Sequence, residues 1–154
     1  MKTQKFIKQS EIDATPEELF AFHENPEVLM KLTPTWERIE VIEFAGSIKV
    51  GTKTIIKTFI GPFSQIWEAE HTQYVANRLF ADVQRRGPFA YWYHKHRFEP
   101  TARDTTMMID EVDYALPLGW LGNLFGGAFV RAKLNKMFDY RHNVLKEKFN
   151  KNSI

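Results

Sequence analysis

The sequence predicts an α+β fold. It calls for a seven-stranded antiparallel sheet, two short helices between strands 1 and 2, and one long C-terminal helix. Three observations lead there. Apolar and polar residues alternate with period two from Trp36 to Leu116, broken by Gly, Pro and Asn at hairpin spacing. Two helix-start signals follow the first strand. Near the C-terminus an apolar stripe recurs at helical spacing.

Residues 6–12 read as strand 1, with Phe6, Lys8 and Ser10 opposed to Ile7, Gln9 and Glu11. Thr15-Pro16-Glu17-Glu18 then offers a cap, a first-turn proline and the acidic end of a capping box. Leu19, Phe20 and Phe22 give that helix its apolar side. Asn25-Pro26-Glu27 repeats the start signal ahead of Val28, Leu29 and Leu32, and Thr33-Pro34-Thr35 stops the second helix. The remaining strands fall at 37–44, 52–59, 64–74, 78–83, 89–99 and 105–116. Their breaks are 45–47, Gly61-Pro62, Ala76-Asn77, 86–88 and 100–104, where Gly supplies positive φ and Pro fixes one dihedral. Consecutive hairpins imply a meander. The segment 117–127, PLGWLGNLFGG, has four glycines and reads either as a flexible entrance carrying an apolar lid of Trp120, Leu121, Leu124 and Phe125 or as a plain strand-to-helix connection. The long helix is expected over 128–149, with Val130, Leu134, Met137, Phe138 and Leu145 as its stripe. One helix is a narrow cover for so wide a sheet, so a sheet curled around it leaves room for a ligand.

Bulk composition narrows the classes. At 154 residues the chain is expected to be one domain over 1–154. It has no cysteine, which removes disulfides, thiolate nucleophiles and cysteine metal sites. A net charge of +2 falls well short of a nucleic-acid-binding surface, so no nucleic-acid partner is expected. No apolar h-region opens the chain and no run is long enough to span a bilayer. A cytoplasmic protein without stable membrane insertion is the expectation, with the lid able to touch a membrane transiently. The oligomeric state is not encoded in any pattern seen. Aromatic content is the outlier at 14%, with thirteen Phe.

Nearly the whole chain carries a family resemblance. The residues are FAFHENPEVLMKLT at 20–33, Gly51-Thr52, WEAEH at 67–71, FADVQ at 80–84, GPFAYWYHKHRF at 87–98, DEVDYAL at 110–116 with Pro117, and FDYR at 138–141. In these the chain resembles the START-like or SRPBCC superfamily, also called Bet v 1-like or polyketide cyclase/dehydrase-like, and within it the small bacterial ligand-binding SRPBCC proteins. The resemblance implies the helix-grip fold, a curved sheet wrapped around the C-terminal helix. It leaves activity open, because the superfamily spans lipid carriers, hormone receptors and aromatases.

The chemical candidates centre on His94 and His96. They sit two apart on one strand, so with Trp92 and Phe98 they share a face, while Tyr91, Tyr93, Lys95 and Arg97 share the solvent face. A metal would need a third ligand; His71, Asp82, Asp110 and His23 are the candidates, and none stands in a recognised metal spacing. No metal or cofactor is therefore expected. If paired positions across the turn at 99–104 sum to about 204, His94 lies opposite Asp110 and Trp92 opposite Val112. The result is a polar strip of Asp82, His94, His96, Asp110 and Tyr114 beside an aromatic wall. Trp67, Phe80, Trp92, Phe125, Phe129, Leu134 and Phe138 complete the expected cavity lining. Arg141 is expected to snorkel to solvent rather than reach Asp82. The reading favours binding or carriage of a small hydrophobic ligand: a lipid, isoprenoid or polycyclic aromatic. The alternatives are a cyclase/dehydratase-type enzyme using His94 and Asp110 as an acid/base pair, and an interaction module whose cavity is filled.

Overall fold

A computed structural model describes residues 1–152; the side chains of residues 120, 121 and 123–125 lie outside that description. Ten elements follow in chain order. They are β1 (Gln4–Ile12), α1 (Pro16–Glu24), α2 (Val28–Lys31), β2 (Ile39–Phe44), β3 (Lys53–Ile60), β4 (Phe63–Val75), β5 (Leu79–Arg86), β6 (Tyr91–Pro100), β7 (Thr106–Ala115) and α3 (Trp120–Lys148). The seven strands form one antiparallel sheet in the order β1-β7-β6-β5-β4-β3-β2. The meander from β2 to β7 is closed by β1, which returns beside β7.

Local chemistry accounts for the junctions. Thr15 and Glu18 complete the capping box of α1: Glu18 N–H donates to Thr15 Oγ1 at 3.3 Å, and Thr15 N–H donates to Glu18 Oε2 at 2.9 Å. The amide of Gln84 clasps the β5–β6 turn, donating from Nε2 to Phe89 O at 2.8 Å and accepting from Phe89 N–H at 3.3 Å. At the β6–β7 turn Asp104 takes φ +57°, and Thr101 N–H donates to Thr105 O at 3.0 Å. That turn is centred one residue later than the sequence suggests. The register is therefore Trp92↔Tyr114, His94↔Val112 and His96↔Asp110. The shift is two residues along one strand, which preserves parity, so every residue keeps its expected face.

The larger correction is α3. It begins at Trp120, eight residues before the expected start, and Gly122, Gly126 and Gly127 are helical. Gly122 is there because a Cβ at that position would lie 2.1 Å from the Pro117 carbonyl oxygen. Its glycine marks a close approach rather than a break. The lid residues Trp120, Leu121, Leu124 and Phe125 lie outside the described side chains.

Two apolar clusters pack between the sheet and the helices. One gathers Ile12, Leu19, Phe20, Phe80, Phe98, Met108 and Leu145 beneath α1. The other gathers Phe6, Trp92, Val112, Tyr114, Leu116, Leu134 and Phe138 beneath α3. The opposite sheet face is charged; Lys5 and Arg97 both reach Glu111, and Arg85 pairs with Glu70 at 2.8 Å.

Candidate functional site

Three elements change character at the same depth. Along β6 the inward residues run Trp92, His94, His96, Phe98. Along β7 they run Tyr114, Val112, Asp110, Met108. Along α3, Phe138 is followed one turn later by His142, and then by Leu145. In each case a residue of the second cluster gives way to a polar group and then to a residue of the first. The core thus carries a polar layer between two apolar halves.

Asp110 is its centre. Its Oδ1 accepts from His94 Nε2 at 2.8 Å and its Oδ2 accepts from His142 Nε2 at 2.7 Å. His96 Nδ1 lies 2.9 Å from the same Oδ1, close but not aligned as a hydrogen bond. On the far side His96 Nε2 is 3.5 Å from Asp82 Oδ2. The His94 and His96 rings sit 3.7 Å apart, and Phe80 stacks on His96 at 4.0 Å. His23, on α1, turns its Nδ1 to the Leu19 carbonyl at 2.8 Å and packs edge-on against Phe98. His71 meets Thr52 Oγ1 at 3.1 Å.

Burial and partners set the charges. Burial alone raises the Asp110 carboxyl, but the imidazoles of His142, His94 and His96 that face it outweigh this and hold Asp110 well below the usual carboxylate range. Burial, then His96, push His94 down. For His96 burial is overcome by Asp110 and Asp82, which raise it. His23 is driven down to about 4, chiefly by burial. The layer therefore combines a held carboxylate, a neutral imidazole at His94 and a charge-favouring one at His96. Among the described residues one edge of the layer meets solvent: the His96 and Asp82 side chains are 13% and 15% exposed, against 5% for His94 and Asp110.

The expected wall is only partly assembled. Trp67, Trp92 and Tyr114 come together with Phe89; Trp67 and Trp92 meet at 5.2 Å and Phe89 and Trp92 at 4.8 Å. Leu134 and Phe138 pack against them, and Phe80 belongs to the opposite cluster. These side chains fill much of the expected cavity by touching one another. Phe129 departs from the expectation: it is 68% exposed, with Lys133 Nζ 5.9 Å from its ring. Phe125 lies outside the described residues. Arg141 does not snorkel; it is half-buried, with Nε donating to the Leu32 carbonyl at 3.3 Å. Two open hollows, of about 480 and 270 Å³, lie at the end where α3 begins. The first is lined by Lys2, Gln4, Gly127, Ala128 and Arg131, the second by residues that include Ala90, Ala115, Leu116 and Leu118. His142 was not foreseen as a partner of Asp110. Its one signal is its place on the helical stripe, four residues after Phe138 and three before Leu145.

The chain matches the family described as "Polyketide cyclase / dehydrase and lipid transport" over residues 12–138. It belongs to that family. No curated protein matches it. Among solved structures, a protein from Thermus thermophilus is similar with a TM-score of 0.73 at 16% identity, covering 98% of this chain and 100% of that one. Norcoclaurine synthase from Thalictrum flavum, solved with dopamine and hydroxybenzaldehyde, is similar with a TM-score of 0.69 at 17% identity, covering 99% and 90%. A protein from Chromobacterium violaceum gives 0.71 at 12% identity, covering 93% and 95%. At these identities the likeness establishes the Bet v 1-like helix-grip fold and nothing finer. No helix among the described residues is long and apolar enough to cross a membrane.

Proposed function

We propose that this member of the polyketide cyclase/dehydrase and lipid transport family binds a small hydrophobic ligand between the sheet and α3. The lipid, isoprenoid and polycyclic aromatic classes all suit the site. The observation that carries the reading is the aromatic cluster of Trp67, Phe89, Trp92 and Tyr114 set directly beside the Asp110 layer. Apolar burial supplies affinity, and a few convergent polar groups orient one oxygen-bearing end. The solvent-facing edge at His96 and Asp82 suits that orienting role. Leu116 belongs to the aromatic cluster and also lines the smaller hollow beside α3, which makes that hollow the natural path inward. The family's description and the ligand complex of the Thalictrum flavum neighbour support the reading. Native mass spectrometry of gently purified protein tests it. A carried molecule, or saturable uptake of a fatty acid or polycyclic aromatic probe, is expected. A clean apo mass together with no uptake of either probe overturns it.

A second reading is an acid/base enzyme of cyclase/dehydratase type, favoured by the 2.8 Å contact of His94 with Asp110. A histidine whose neutral form is favoured by burial can accept a proton while Asp110 holds its other nitrogen. His94→Ala should then abolish turnover of a candidate polyketide, and unchanged turnover removes the reading.

A further inference from the structure

The polar layer also gathers donor atoms that neither reading treats as a metal site. His94 Nε2 and His96 Nδ1 both face Asp110 Oδ1, at 2.8 and 2.9 Å. That leaves His94 Nδ1 and His96 Nε2 as the imidazole nitrogens turned away from Asp110; His96 Nε2 faces Asp82 Oδ2, so a metal there would take the place of its proton. One donor atom from each of Asp82, His94 and His96 lies within 4.8 Å of the others. The contact between Asp82 Oδ2 and His96 Nε2, at 3.5 Å, is looser than a hydrogen bond, so the Asp82 carboxylate has coordinating capacity left.

We propose that Asp82, His94 and His96 form a binding site for a divalent transition-metal ion, with Asp110 as the carboxylate that orients both imidazoles.

The backbone brings these groups together without strain. His94 and His96 stand two apart on β6 and so share a face, and Asp82 on β5 is the Cα partner of His94. A histidine that binds a metal generally turns its other ring nitrogen to a carboxylate, which fixes the tautomer and the ring. Asp110 does this for His94 by a hydrogen bond and lies 2.9 Å from His96 Nδ1, and His142 Nε2 at 2.7 Å holds Asp110 in turn. A set of two nitrogens and one oxygen, with no thiolate, suits zinc or ferrous ion and not calcium or magnesium, which prefer oxygen ligands. Donors around such an ion stand about 3.3 Å apart for bonds of about 2.0–2.1 Å, so side-chain rotation from the present spacing suffices. The partly exposed edge at His96 and Asp82 gives the ion a way in and leaves coordination positions for water or a ligand oxygen. None of this depends on a hydrophobic ligand being bound.

The test uses the full chain, stripped with chelator and titrated with zinc chloride by calorimetry and with cobalt(II) by absorption. One saturable equivalent is expected. Asp82→Asn and His96→Gln should each weaken it at least about ten-fold, and Asp110→Asn by about 10–100-fold. His23→Gln, which alters a buried histidine outside the donor set, should leave the affinity unchanged. In nitrogen-15 spectra of the histidines, zinc should shift His94 Nδ1 and His96 Nε2. Circular dichroism identifies any variant that merely unfolds; if Asp110→Asn does, Asp82→Asn at the exposed edge decides. Absence of a saturable equivalent overturns the proposal, as does zinc binding that survives the Asp82→Asn and His96→Gln changes together. A zinc shift at His94 Nε2 overturns the assignment of Asp110.

Discussion

The two ends of the sheet treat similar strands in opposite ways. In β2, IEVIEF, not one residue is buried, and Val41 and Ile42 are 44% and 56% exposed. In β7, TMMIDEVDYA, seven of ten positions are buried, among them an aspartate. A strand's own hydrophobicity does not decide this. α3 and α1 lie over β1, β7, β6 and β5, whereas β2 and its neighbours lack a comparable cover among the described residues, so burial follows what lies opposite. Asp110 goes into the core because three histidines meet it there; Ile42 stays out for want of any such partner.

Changes on the two sides should differ accordingly, and the largest effect is expected at the buried carboxylate. Asp110→Ala leaves three imidazoles without their shared acceptor and should destabilise the metal-free fold by about 3–5 kcal/mol in urea unfolding. A cost under about 1 kcal/mol would mean that the layer is solvated and the contrast with β2 is weaker than drawn.

The next effect is a pH dependence. The folded state keeps His23 neutral down to about pH 4, whereas the unfolded chain protonates it near 6.5. The unfolded state therefore binds more protons between these values, and stability falls as pH drops through that window. The His23 contribution reaches about 3 kcal/mol by pH 4. Under chelator, His23→Gln should flatten that part of the profile relative to the parent chain. A parallel pair of curves would show that His23 is already hydrated.

Smaller still, Thr15→Ala removes one half of the capping box and should cost about 1 kcal/mol. Ile42→Thr on the uncovered strand should change stability by no more than about 0.5 kcal/mol. A larger loss there would reveal cover over β2 that the chain itself does not supply.

What the sequence disclosed divides along physical lines. Period-two patterning identified every strand and the correct face for Trp92, His94, His96 and Phe98, because parity is local. The capping box at Thr15 was equally plain, since it involves four consecutive residues. The exact β6–β7 pairing escaped, because the turn centre depends on Asp104 adopting positive φ. The start of α3 escaped because a glycine costs helix stability locally, while the reason for Gly122 is a carbonyl oxygen five residues back that only the packed helix approaches. His142 escaped because nothing near it in sequence names Asp110; the depth at which a helix docks on a sheet is a property of the whole interface.

The polar layer also bears on how the strands find each other. Apolar alternation penalises a slip of one residue, which would turn Asp110 outward, but it tolerates a slip of two. In the slipped pairing His94 would face Asp110 and His96 would face Met108, with every apolar residue still inside. Within the core the ionic groups tell the two arrangements apart, as the Asp104 turn does at the strand ends. The slip moves Asp110 along the strand and away from His142 on α3, breaking the contact at Oδ2 that ties the carboxylate to the helix. A buried charge cluster of this kind serves as a registration mark, selecting one alignment from a set that hydrophobic matching leaves degenerate.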